Sequence, residues 1–472
     1  MSFQTLAPAT RSPTLGFDPD LVRRFDRQGP RYTSYPTADR FDASFDELAY
    51  RTAASRRNAG GVPRPLSLYV HLPFCRSLCF YCGCNKIVTR DSSKAARYLE
   101  YLDREIALQS VLFRDDPRVA QMHWGGGTPT YYDTAQQRAL FRRLADRFDL
   151  ARDGDYSIEI DPRTLNVGSI EALRDIGFNR VSFGVQDFNP AVQAAVNRLQ
   201  SREDTLAAIA AARECGFRSI NVDLIYGLPL QTPAGFAETL ATVVAARPGR
   251  VALYNYAHLP ALFKAQRRIN DRDLPSAETR LELLGIAIDR LGAAGYQYIG
   301  MDHFALPSDP LALAQRQGRL QRNFQGYSCG PESDLVGLGV SAIGALGPTY
   351  AQNHRALPEY YGCLDQGRLP VMRGTRLGAD DLLRRSVIQS LMCHSTLSKT
   401  ALEVGYLIEF DQYFDRELEA LREFEALGLV SLGGDWISVT PRGRFVIRGI
   451  CMVFDRYLAA GVEEGRRYSR VV

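Results

Sequence analysis

Nowhere in the 472 residues is there an unbroken run of about eighteen apolar side chains, so no segment reads as a membrane-spanning helix. Residues 1–10 lack a charged stretch followed by an apolar one, which leaves no secretory signal and implies a soluble, cytoplasmic protein. Charge of one sign is also scarce. A formal net charge of +4 supports neither a nucleic-acid surface nor an acidic tail, although local basic clusters can still meet an anionic small molecule. A disulfide framework fits poorly as well: nine cysteines is an odd number, and four of them are bunched at metal-ligand spacing. What the chain does have is 45% hydrophobic residues, ample for a large core, and length for about three domains.

The bunched cysteines are Cys75, Cys79, Cys82 and Cys84, in the run CRSLCFYCGC that follows the apolar segment 67–74. Intervals of three and then two residues let thiolates converge from one loop onto one inorganic group, and soft sulfur ligands suit zinc or an iron–sulfur cluster. Structural zinc normally closes with a second Cys or His pair, and none exists here. His71 is the only nearby imidazole, so zinc would need all four cysteines. The triplet CxxxCxxC with an aromatic residue, Tyr81, before its last cysteine resembles the signature of the radical S-adenosylmethionine (SAM) superfamily. There, three cysteines hold three irons of a 4Fe-4S cluster, and the fourth iron receives the amino and carboxylate groups of SAM. Were Cys84 a fourth ligand, the cluster would be saturated and limited to electron transfer.

The remaining chain reads as α/β. Apolar or β-branched runs at 66–72, 119–124, 156–160, 180–185, 219–226, 251–257 and 296–301 alternate with helical stretches. Asp133 with Gln136 forms a capping box, and Ser201 and Thr232-Pro233 open further helices. Alternation of this kind implies parallel strands with right-handed crossovers and an open or closed β/α barrel whose chemistry sits at the C-terminal strand ends, and the radical SAM resemblance implies the open, partial form. The cysteine loop, Gly125-Gly126-Gly127, and the segments 159–162, 186–189, 223–229 and 255–260 all follow such ends. Four regions are expected: a mobile tail at 1–16, an N-terminal arm over the active site at 17–60, the barrel with following loops at 61–375, and a mostly helical, winged-helix-like C-terminal domain at 376–472. The last carries no Lys/Arg stripe of the kind DNA binding needs.

PRYTSYPT at 30–37, CGCNKIVTR at 82–90, HWGGGTPT at 123–130, GVQDFN at 184–189 and NFQGY at 323–327 together resemble the oxygen-independent coproporphyrinogen III oxidases, from about Phe17 to the C-terminus. The resemblance implies a 4Fe-4S cluster on Cys75, Cys79 and Cys82, with Cys84 outside the ligand set. It places a first SAM against Tyr69, Gly126, Glu159 and Ile343, and a second against Tyr81, Gly127, Thr128, Gln186, Arg198, Asp223 and Ala257. Tyr69 and Cys84 are the implied catalytic residues. The implied partners are coproporphyrinogen III and an electron donor such as flavodoxin or ferredoxin, for a monomer with no nucleic-acid or membrane partner. A substrate with four carboxylates makes Arg31, Lys264, Arg267, Arg268, Arg319 and Arg322 candidate contacts. Tyr32 and Tyr35 are expected to close over it. A related heme chaperone, a two-SAM methyltransferase and a closed zinc or electron-transfer site are the alternatives.

Overall fold

The computed structural model describes residues 16–57, 64–166 and 168–459. All of the 1–16 tail except Gly16 therefore lies outside the described residues, as does 460–472 of the C-terminal region.

Six strands lie side by side in parallel: β1 (Leu66–Leu72), β2 (Arg118–Gly126), β3 (Asp149–Ile160), β4 (Arg180–Gln186), β5 (Ser219–Tyr226) and β6 (Arg250–Asn255). Helices fill the crossovers, the longest being Ser92–Leu112. Their starts are set locally. The Asp133 carboxylate accepts from the Gln136 N–H while the Gln136 side chain returns to the Asp133 N–H, and Ser201 and Thr232 cap their helices in the same sense. β1 is buried along almost its whole length because both of its faces are covered, which is why it reads as a continuous apolar run. Trp124 on β2 is fully buried and meets the Phe178 ring edge-on at 4.9 Å.

One expectation for the barrel is corrected. The run at 296–301 does not continue the parallel series. It forms β7 (Gln297–Gly300), which turns back through Met301 and Asp302 into β8 (His303–Ala305), and β8 pairs antiparallel with β6. Met301 and Asp302 both have positive φ, as a tight two-residue hairpin requires, yet neither is the usual Asn or Gly, so the turn left no mark in the sequence. The glycine-rich run near 335–343 includes a buried strand, β9 (Asp334–Leu338), which joins the parallel sheet on the free side of β1. From there β10 (Ile343–Leu346), β11 (Thr349–Asn353) and β12 (Val371–Arg376) extend the sheet antiparallel, giving the order β12-β11-β10-β9-β1-β2-β3-β4-β5-β6-β8-β7.

Beyond it, helices Ala379–His394, Lys399–Tyr406 and Asp415–Ala426 pack with a small sheet of Thr396–Ser398, Trp436–Val439 and Val430–Leu432, a winged-helix arrangement. The helical stretch over 410–426 is broken at Phe414, which lets the fully buried Phe410 and Phe414 rings meet at 4.9 Å in one core.

The arm is tied to this core. Asp18 caps the helix Pro19–Arg24, and Phe25 stacks on Phe424 at 4.8 Å. Tyr32 and Tyr35 are buried, and the Tyr32 hydroxyl donates to Asp455 at 3.0 Å. A phenol ring is stable in an apolar core when its hydroxyl has a partner, and Asp455 supplies one, so neither tyrosine is free to cover a substrate.

Candidate active site

The β1 and β2 ends approach closely because glycine is there. The Gly127 N–H donates to Leu72 O at 2.9 Å, and a Cβ on Gly127 would lie 2.5 Å from Pro73 O. At Gly126, where φ is +109°, a Cβ would strike the His71 ring. Since the atoms opposing Gly127 are backbone and cannot give way, Gly127→Ala should displace the cysteine loop from the glycine turn. A misplacement of about 1 Å costs on the order of 10²-fold in rate, so that is the loss expected in turnover, together with a lower thermal midpoint. Turnover within about twofold of the parent would show that the approach does not matter.

Cys75, Cys79, Cys82 and Cys84 line one wall of a 160 Å³ cavity at these strand ends. Tyr81, Gly126, Gly127, Thr128, Glu159, Gln186, Arg198 and Asp223 line the rest, so residues from six chain segments meet where the alternation of strand and helix predicted. Among the described residues, no three His, Cys, Asp or Glu side chains form a ready set for one metal ion.

Each of the three expected ligands nevertheless receives a donor. Thr128 Oγ1 donates to Cys75 Sγ at 3.4 Å, Arg163 Nη2 and Arg198 Nη1 to Cys79 Sγ at 3.4 and 3.5 Å, and the Cys84 thiol to Cys82. That last bond, with Lys86 nearby, outweighs burial and draws the Cys82 thiol down to about 6, whereas burial pushes Cys75 up to about 11. Cys84 pays the reverse effect and is raised, first by its bond to Cys82. Donors aimed at sulfur favour thiolate and tune an iron–sulfur cluster, so this donor set fits one held by Cys75, Cys79 and Cys82.

Opposite the thiols the wall is polar. Glu159 is half-exposed, but its open face is the cavity; burial works against its charge, yet the bond to His123 Nε2 at 3.1 Å and that from the Gly126 N–H at 3.2 Å hold the carboxyl below its usual range. Asp223, bonded by Ser182 and Asn221, is pushed up to about 6 by burial and by Glu159. Asp161 pairs with Arg163 at 2.6 Å and Arg198 at 3.3 Å and fixes both guanidinium groups beside Cys79. Gln186 has φ +68°, strained for a residue with a Cβ, and its Oε1 is buried without a partner among the described residues, as is Arg198 Nε. Strain and unmet polar atoms on a cavity wall suit a polar ligand such as SAM.

Three expected residues lie outside the cavity. Tyr69 stands one strand position back; its hydroxyl bonds His71 Nδ1 at 3.0 Å, and its ring stacks on His123, the partner of Glu159. The Ala257 carbonyl accepts from Gln266 Nε2, which also holds Tyr81 O at 3.0 Å. Ile343 packs beside Phe41, Tyr350 and Leu377, with its backbone against Gly337. His123, Asp161, Arg163 and Gln266 were not foreseen as site residues. The first three stand in or beside motifs at strand ends, a signal that could have found them; Gln266 had none, hidden among the basic residues of 264–268.

Of the basic candidates, Arg31 is paired with Asp302 and lies over the ring of Tyr254, which lines the cavity adjoining this one. Arg267 donates to Pro260 O, Arg268 covers Phe80, and Arg319 is held by Gln317. Arg322 is buried.

The Radical SAM superfamily model matches residues 69–243, and the HemN C-terminal domain model matches residues 377–446. A Pseudomonas aeruginosa protein named oxygen-independent coproporphyrinogen III oxidase is 49% identical over 97% of this chain and 99% of its own. The chain belongs to the oxygen-independent coproporphyrinogen III oxidase family. The Escherichia coli member is 48% identical over 97% of this chain and 99% of its own, and that from Synechocystis 45% over 95% and 97%. The solved E. coli structure, described as coproporphyrinogen III oxidase (HemN), a radical SAM enzyme, superposes with a TM-score of 0.89 at 47% identity, covering 94% of this chain and all of that one. The fold is thus that of this radical SAM family, with its open β/α barrel and helical C-terminal domain. Among the described residues no helix is long and apolar enough to cross a membrane.

Proposed function

We propose that the chain converts two propionate side chains of coproporphyrinogen III to vinyl groups, giving protoporphyrinogen IX without oxygen. The observation that carries this reading is the meeting of the three donor-supported thiols, the glycine turn and the Gln186–Asp223 wall at one cavity, in a chain that is 49% identical to one such oxidase over 97% of its length. The β-hydrogens of a propionate are too weakly acidic for any side-chain base. When bound, a 4Fe-4S cluster on Cys75, Cys79 and Cys82 together with SAM would supply an electron and a 5'-deoxyadenosyl radical to remove that hydrogen, after which loss of carbon dioxide and one electron leaves the vinyl group.

The protein's part is to bind, orient and shield. Glu159, ionised and fixed by His123, offers a carboxylate to a cationic ligand group, and the backbone around Gly126 can approach because no Cβ intervenes. Tyr69 and Ile343 support this first SAM position from behind. Gln186 and Arg198 offer unmet polar atoms, and Asp223 an acceptor, to a second SAM position that also takes Tyr81, Gly127, Thr128 and the Ala257 carbonyl region. Cys84 belongs to the catalytic set as the thiol that supports Cys82. The same reading takes a flavodoxin or ferredoxin as electron donor, a monomer, and the cytoplasm as its setting.

The test is anaerobic turnover of the iron-reconstituted protein with SAM, a strong reductant and coproporphyrinogen III. Protoporphyrinogen and 5'-deoxyadenosine should appear together. S-adenosylhomocysteine in their place would indicate a methyltransferase, and tight heme retention with neither product a chaperone.

A further inference from the structure

The thiol-lined cavity does not end at Asp223. It shares Glu159, Ser182 and Asp223 with a 180 Å³ cavity inside the barrel, and that one shares Asn323 and Ser328 with a third of 330 Å³. The third lies where the hairpin of Gln321–Asn323 and Gly326–Ser328 meets Thr33 of the arm and the helix Ala379–His394.

Arg322 is in its wall and only 6% exposed. Its Nη2 donates to Arg31 O at 3.4 Å, and its guanidinium lies 4.8 Å from the Tyr327 ring centroid. Nε and Nη1 are buried and have no acceptor among the described residues. A guanidinium keeps its charge at any working pH, so two unmet N–H groups on one are costly unless an anion completes them.

Among the described residues the surroundings offer no such anion. The acids of this wall, Glu332 and Asp334, are paired with Arg64 and Arg57 at 3.0 Å each, and Asp302 nearby is paired with Arg31. Arg385, half-buried in the same wall, forms no ion pair among the described residues. Arg448, behind the arm, has its Nε donating to Pro30 O and is pushed down to about 9, first by burial and then by Arg31.

We propose that Arg322 and Arg385 form a carboxylate-binding subsite that takes one propionate of the porphyrinogen while a different propionate faces the thiol-lined cavity. The assignment rests on the proposed function, which supplies a substrate with four carboxylates. Nε and Nη1 of Arg322 lie on either side of Nη2, and each leaves a donor for an anionic oxygen, while Arg385 in the same wall adds a second cation. A purely structural Arg322, anchoring the hairpin through Tyr327 and Arg31, would not distinguish a carboxylate from its ester.

That distinction is the test. Coproporphyrin III, the fluorescent oxidised tetracarboxylate, and its tetramethyl ester are titrated into the full-length, cluster-reconstituted protein in the presence of SAM. Arg322→Gln should weaken binding of the acid on the order of 30-fold, and Arg385→Gln about 5-fold, while the ester's Kd moves by less than about twofold. Iron content at the parent level serves as the folding check, and if Arg322→Gln fails it, Arg385→Gln decides. An unchanged Kd for the acid, or acid and ester weakening together, overturns the subsite. Product formation by the parent protein with no acid preference would leave the proposed function standing and remove the subsite. Acid-selective loss in the variants of a protein that makes no protoporphyrinogen would do the opposite.

Discussion

Cys79→Ala should abolish protoporphyrinogen formation, by a factor on the order of 10³ or more, while leaving the barrel folded. Cys79 is buried at the focus of the site's positive charge, with Arg163 and Arg198 both donating to its sulfur and both fixed by Asp161. Removing the thiol removes one of three proposed iron ligands and leaves two guanidinium groups facing a methyl group. The difficult step belongs to the cofactor, so its loss takes nearly the whole rate enhancement with it. The measurement is iron and sulfide per chain alongside turnover: both should collapse together, with the far-ultraviolet circular dichroism unchanged. Cys84→Ala is the contrast. Cys84 is exposed and acts on Cys82 through one hydrogen bond, so that variant should keep most of its iron and lose activity. Equal iron loss in both variants would mean that Cys84 is a ligand, and full iron retention in Cys79→Ala would remove Cys79 from the ligand set.

Much of this site could be read before any coordinates, for a physical reason. In an α/β barrel the strand ends are where chain direction, glycine and polar residues coincide, so Gly126, Glu159, Gln186 and Asp223 announced themselves by position as well as by type. The six parallel strands were legible because burial on both faces leaves long apolar runs, as in 66–72 and 219–226. What could not be read depends on pairings between distant segments. The hairpin through Met301 and Asp302 uses positive φ at residues that seldom adopt it, and β9 reaches the free edge of β1 after more than half the chain has intervened. The arm was legible as a segment, but its direction was not: Tyr32 looks equally suited to a substrate ring or a protein core until Asp455 is seen beside its hydroxyl. Arg163 and Gln266 were missed because each acts on a neighbour's atom, Cys79 Sγ or Tyr81 O, and neither shows a ligand-binding pattern of its own.

Glu105→Ala should cost on the order of 5 kcal/mol of stability, because it deprives three buried donors of one acceptor and leaves a cavity. Glu105 lies in the helix Ser92–Leu112, wholly buried. It accepts from the Gly339 N–H at 2.7 Å, the Tyr360 hydroxyl at 2.6 Å and Asn353 Nδ2 at 2.7 Å. Beside it the Tyr98 hydroxyl accepts from the Val340 N–H and donates to His71 O, so the two side chains clamp the 339–340 turn against the end of β1, beneath the cysteine loop. Burial pushes Glu105 up to about 7 from 4.5, with the three donors holding it partly back. Because the folded-state value is the higher one, the native state binds the proton more tightly than the unfolded chain does. Stability contributed by that proton is complete below about pH 4.5 and is lost as pH rises through 7, about 3 kcal/mol in all. Glu105→Gln keeps the shape and removes the titration. Relative to the parent it should therefore gain stability steadily between pH 5 and 7 and hold a constant difference above, as read from denaturant midpoints at about pH 5, 6.5 and 8. A difference that does not vary with pH would mean that Glu105 is ionised throughout, and that the three donors outweigh the cost of burying its charge.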